Sequence, residues 1–185
     1  MLDHNTTIHA AEQATRHWFE RVVLGLNLCP FAHRPARQQQ IRFYTSTAIT
    51  EQALLDEVIQ AIEHLASTPA STCETTLVIT PELLHDFYDY QFFLEEANYQ
   101  LKQHQWEGTF QLASFHPNYC FAGCEPHDTT NLTNRSPYPI IHILREASLS
   151  QVLEQVESPE LIPERNMETV SGLSDEEVKV LFPKF

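Results

Sequence analysis

Between residues 116 and 146 the chain concentrates side chains that can do chemistry. His116-x3-Cys120-x3-Cys124-x2-His127 is followed by Asp128, then by Asn134-Arg135-Ser136, and then by His142, Arg145 and Glu146. His116, Asp128 and His142 supply two imidazoles and a carboxylate, the groups used for acid–base catalysis or for an open metal site. The cofactor such a set would take is a divalent metal: zinc, manganese or iron. Arg135 and Arg145, with Asn134, Ser136 and Glu146 beside them, are candidates for holding a ligand's charge through paired hydrogen bonds. The plain alternatives are an Arg145–Glu146 ion pair and an Asn134 that closes a turn on its own backbone. His142 and Glu146 are four apart, so they share a face if the segment is a strand.

Two further arrangements compete with that set. His116, Cys120, Cys124 and His127 are four zinc-type ligands within twelve residues, although their spacing is not that of two short knuckles separated by a longer excursion. The alternative is a pair of packed thiols among polar loop residues. Cys29 follows the end of a helical pattern and precedes Pro30-Phe31, with His33 and Arg34 close by. A neighbouring cation would raise its thiolate fraction, and His116 or His142 could serve as its base. In the apolar run Leu28-Cys29-Pro30-Phe31 the same sulfur reads equally as a small packed hydrophobe.

These residues need elements to position them. Ala11, Ala14, Trp18, Val22 and Leu26 fall at helical spacing, which predicts a helix over 8–26 capped by Thr7. Alternation over 39–45 predicts a strand. Thr50 then caps a helix whose stripe is Leu54, Leu55, Val58, Ile59, Ile62 and Leu65. Thr75–Thr80 reads as a strand covered on both faces. Thr80-Pro81-Glu82 opens a third helix, with Pro81 where its missing N–H costs nothing. Strands are expected at 109–115 and 139–146, and Ser148 with Gln151 predicts a capped helix over 149–157. A short helix is expected within 174–181. Between the last two strands lie 22 residues, 116–137, without periodicity; a stretch of that kind is usually functional or disordered, and Phe115, Tyr119, Phe121 and Tyr138 with few charges argue for a packed, functional loop over disorder. The fold class is therefore α/β. We expect a single-domain layered sandwich over 1–157, with about four strands, crossover helices and a long polar loop before the last strand. An acidic appendage follows over 158–185.

The motifs Asn27-Leu-Cys-Pro-Phe-Ala32, Phe110-Gln-Leu-Ala-Ser-Phe-His-Pro117, Asn131-x-Thr-Asn-Arg-Ser-Pro-Tyr-Pro139 and His142-x-Leu-Arg-Glu146 make the chain resemble a bacterial family, domain of unknown function 1415. The resemblance spans roughly residues 10–157 and implies no reaction. In the family pattern positions 120, 124 and 127 are often not Cys, Cys and His, which counts against the zinc set.

Composition bounds the rest. With 25 acidic and 11 basic side chains the formal charge is −14, which argues against a broad nucleic-acid surface. Residues 46–107 hold eleven acids and one base, so the acidity lies on the middle helices and the tail, away from the polar loop. Four glycines cannot build a nucleotide-phosphate fingerprint. The longest apolar run is too short to span a bilayer and no signal peptide is evident, so a cytoplasmic protein that binds no membrane is expected. Together these features predict an enzyme that acts on a small polar or anionic metabolite. His116, Asp128, His142 and Cys29 would be its catalytic groups. A non-catalytic binding or interaction module, whose polar loop is a structural network, is the alternative; a structural zinc protein is the second.

Overall fold

The computed structural model describes residues 4–183; the two ends of the chain, with the absence of an N-terminal signal and the last two residues of the appendage, lie outside them. Helix α1 (His4–Trp18) runs into a π-helical turn, Phe19–Leu24, and a short α2 (His33–Arg37) follows. Strand β1 (Ile41–Thr45), α3 (Glu51–Ser67), β2 (Thr75–Ile79) and α4 (Phe87–Gln103) come next. Strand β3 (Phe110–Phe115) is separated from β4 (Ile140–Arg145) by the polar loop, which contains a 3-10 helix, Thr129–Asn134. Helices α5 (Glu146–Leu153), α6 (Ile162–Ser171) and α7 (Asp175–Leu181) complete the chain.

The sheet order is β1-β2-β4-β3, with β1 parallel to β2 and β4 antiparallel to both of its neighbours. All five residues of β2 are buried, as a strand covered on both faces requires. Side chains alternate between two cores. Val78, Ile141 and Ile143 face α3 and α4, where Leu54, Val58, Ile62, Leu65, Tyr90 and Phe93 pack. Leu77, Ile79 and Ile140 face α1 and the π turn, where Ala11, Trp18, Phe19 and Val22 pack. Each large aliphatic or aromatic side chain so buried stabilises the fold by about 1.5–3 kcal/mol. The result is a three-layer α/β sandwich around an open mixed sheet.

Thr50 caps α3 as its position predicts, its side chain accepting from Ala53 N–H. Three helix starts differ from expectation. Helix α1 begins at His4, upstream of Thr7. Helix α4 begins at Phe87, because Asp86 accepts from the N–H groups of Tyr88 and Asp89 and is the stronger cap. Residues 81–86 instead form a turn in which buried Leu84 has φ +61°. Helix α5 starts at Glu146, directly from β4, so Ser148 and Gln151 lie within it and form no capping box. The capping box is at Ser174 with Glu177. Glu146 therefore belongs to a helix, and the shared strand face with His142 does not exist. Within the segment from 158 onward, α6 buries Val170 completely in the second core, and Asn166 Nδ2 donates to Leu28 O at 2.7 Å.

Candidate functional site

An open cavity of about 580 Å³ lies at the amino ends of β1 and β2 and the carboxyl end of β4. Its floor is Ile41, Thr75, His142 and Leu144; α2 and the segment before it add Cys29, Phe31 and Arg34. The π turn adds Phe19, and α5 closes the far side with Ala147, Ser148 and Val152. A strand that passes into a helix without a linker is what brings α5 over the sheet end. The π turn widens α1 at Phe19, and such turns recur at functional sites.

His142 Nε2 lies 2.8 Å from Thr75 Oγ1, which itself lies 2.6 Å from Ile143 O. A carbonyl can only accept, so the single hydroxyl proton goes to Ile143 O. Nε2 must then donate to the hydroxyl oxygen, and Nδ1 of the neutral ring keeps its lone pair. Burial lowers the His142 pKa to about 4, so the ring is neutral at physiological pH. Burial also pushes the Cys29 thiol up, against the pull of the Phe31 and Ala32 N–H groups. Cys29 and His142 thus meet the cavity as a thiol and a neutral imidazole.

Arg145 lines the cavity but is committed elsewhere. Its Nη2 donates toward Leu65 O and Thr68 O, both at 2.7 Å, and Cys73 O at 3.1 Å. It ties the end of β4 to the end of α3 and forms no ion pair with Glu146 among the described residues.

The other sequence candidates lie at the opposite end of the sheet, where β3 and β4 meet the polar loop. His116 is fully buried; its Nε2 donates to Leu84 O at 2.9 Å, and its Nδ1 accepts from Asn118 N–H at 2.9 Å. Both ring nitrogens are satisfied, and burial holds the imidazole neutral. Asp128 caps the 3-10 helix by accepting from Thr130 N–H and Oγ1, hydrogen bonds that lower its pKa. Asn134 donates to Ser114 O, and Ser136 donates to Tyr138 O. Arg135 donates to Tyr119 O and Pro126 O. Cys120 Sγ lies 3.3 Å from Cys124 O, and Cys124 Sγ 3.9 Å from Thr130 Oγ1. Among the described residues no three His, Cys, Asp or Glu side chains come together, so His116, Asp128 and His142 are not one cluster, nor are His116, Cys120, Cys124 and His127.

Sequence reasoning missed the residue at the centre of the loop. Asn131 is fully buried; its Oδ1 accepts from Phe121 N–H and its Nδ2 donates to Glu125 O, both at 2.9 Å. It also missed Thr75, read only as a strand residue, and the cavity wall from α5. A threonine two positions from a strand partner of His142 was the available signal, but it required the register to be known.

Fold and site together define a three-layer α/β protein with a mostly apolar cavity at the amino ends of its parallel strands. The chain belongs to the family described as Protein of unknown function (DUF1415), whose profile matches residues 10–180 and so takes in α6 as well as the sheet. No curated protein and no solved structure matches it. Among the described residues no helix is long and apolar enough to cross a membrane.

Proposed function

We propose that the protein acts by binding a small molecule in the Cys29–His142 cavity, and that the polar loop is the structural network holding the opposite end of the sheet. The observation behind this reading is the cavity itself. Its volume of about 580 Å³ lies in the range of small-molecule sites, and a few polar groups converge in a mostly apolar lining. A cavity-filling variant tests it. In a thermal-shift screen of metabolites, a true ligand raises the melting temperature of the wild type and not that of Ala147→Trp. It should also slow alkylation of Cys29 by iodoacetamide, read by intact mass. Ligands that stabilise both proteins equally, or a screen without any cavity-dependent stabilisation, would reject the reading.

Catalysis on that molecule is the second reading, favoured by the presence of Cys29 and His142 in one cavity. Both groups rest uncharged, so a thiolate–imidazolium pair is not the resting state. An enzyme of this design would release the thiol proton to His142 only as the sulfur forms its bond to a bound substrate, so that no ion pair stands at rest. A cavity ligand converted by the wild type and left intact by Cys29→Ser would support it.

A further inference from the structure

We infer that the cavity selects a neutral molecule with an apolar body that donates one hydrogen bond to His142 Nδ1. This rests on the cavity being the binding site, and it departs from the anionic ligand expected from the arginines.

Three observations converge. First, the Ile143 O–Thr75 Oγ1–His142 Nε2 chain fixes the tautomer, leaving Nδ1 as an acceptor. Among the described residues Nδ1 has no partner, and it is not fully buried, so its accessible surface opens into the cavity that His142 lines. A lone pair held in an apolar cavity is stabilised by a donor and disfavours an anion. Second, Arg145, one of the two arginines that sequence placed on the ligand, spends Nη2 on three carbonyl oxygens, and its Nε is buried without a partner. Arg34 is exposed, and Glu74 also lines the cavity. The Arg145 guanidinium on the cavity wall is therefore held by backbone carbonyls rather than left free to follow a ligand. Third, most of the wall is apolar, with Gln38, Gln40, Ser148 and Gln151 among its polar members. Phe19, Phe31, Pro35, Ile41, Leu144 and Val152 line it, and the Phe115 ring lies 6.2 Å from His142 behind it. An aryl or alicyclic alcohol, phenol or amide N–H meets these demands; a carboxylate or phosphate does not.

The test uses three probes of one shape: 2-naphthol, its methyl ether and 2-naphthoate. Binding is followed on 15N-labelled full-length protein through the amides of Leu144 and Ala147 and the ring nitrogens of His142. Naphthol should bind at least about tenfold more tightly than the ether, the effect of one hydrogen bond to an otherwise unpaired acceptor in a mostly apolar cavity. It should also shift Nδ1, while naphthoate binds no better than the ether. In Thr75→Val, with its fold checked by the dispersion of the same spectrum, the ring is free to present either nitrogen. The preference for naphthol should then fall below about threefold. Equal binding of naphthol and ether, or tightest binding by naphthoate, would overturn the donor assignment and leave the cavity reading standing. If none of the three disturbs the cavity amides, both fail.

Discussion

Acid should destabilise this protein through His142, and by a calculable amount. The imidazole value is 6.5 in the open and about 4 in the fold, where burial is the cause. The unfolded chain therefore binds a proton that the native state refuses between those two values. In that window stability rises with pH, because the unfolded state holds more protons there. The loss on acidification begins near pH 6.5 and is complete near pH 4. A difference of about 2.5 at about 1.4 kcal/mol for each factor of ten comes to about 3 kcal/mol at pH 4, of which about 2 kcal/mol is gone by pH 5. Around the ring, Thr75 accepts from Nε2, Phe115 lies tilted against it, and Cys29, Arg145 and Glu74 share the cavity. The assay is urea unfolding at pH values stepped downward from neutrality, for the wild type and for His142→Gln. Glutamine can still donate to Thr75 Oγ1 but does not titrate. Buried His116, lowered in the same direction, remains in both proteins and cancels. The two stability curves should diverge as pH falls. Parallel curves within about 0.5 kcal/mol down to pH 5 would refute the burial of a neutral His142.

Asn131→Ala strands the Phe121 N–H and Glu125 O inside the loop and should cost about 2–4 kcal/mol in chemical denaturation, with cavity binding unchanged. A Cβ on Gly25 would lie 2.2 Å from Arg21 O, so Gly25→Ala must shift the end of the π turn. It should destabilise by about 1–3 kcal/mol and alter the rate at which Cys29 is alkylated, because the displaced turn leads directly into Leu28 and Cys29. Arg145→Met keeps the stem and removes the donor to three carbonyls; a loss of about 2–4 kcal/mol is expected, with hydrogen exchange raised at the end of α3.

Helix α3 was legible because its stripe repeats at helical spacing and Thr50 stands where a cap is needed. Strand β2 was legible because five consecutive buried residues cannot be mistaken for an amphipathic surface. Helix starts were less so. Pro81 and Ser148 are both locally competent to begin a helix, and each lost to a tertiary constraint. Residues 81–86 turn so that Leu84 O can meet buried His116, and β4 runs straight into α5 with no room for a cap. The site was half legible. Cys29, His142 and Arg145 share the cavity, although 113 positions separate the first two in sequence. His116, Asp128, Asn134, Arg135 and Ser136 were grouped with them because they are close in sequence and polar. Polar residue types alone cannot separate a network that satisfies its own hydrogen bonds from a pocket that awaits a ligand. Only the donors and acceptors left over distinguish the two.

The position of the cavity follows from the strand order. In an open α/β sheet ligands generally sit beyond the carboxyl ends of the parallel strands. Here β4 lies antiparallel between β2 and β3, so the β3–β4 connection must cross that same end. The connection is long and tied down: Thr80 N–H donates to Pro139 O, Leu132 enters the second core, and α6 packs against its 3-10 helix. The usual ligand end is thereby plugged by the segment richest in versatile side chains. At the amino end, by contrast, α2 and α5 flank the strand ends with an open volume between them. Asn166 then links the two ends, because α6 packs on the plug and also holds Leu28 O, one residue from Cys29. A sheet built in this order leaves its open cavity at the end where its sequence is least conspicuous.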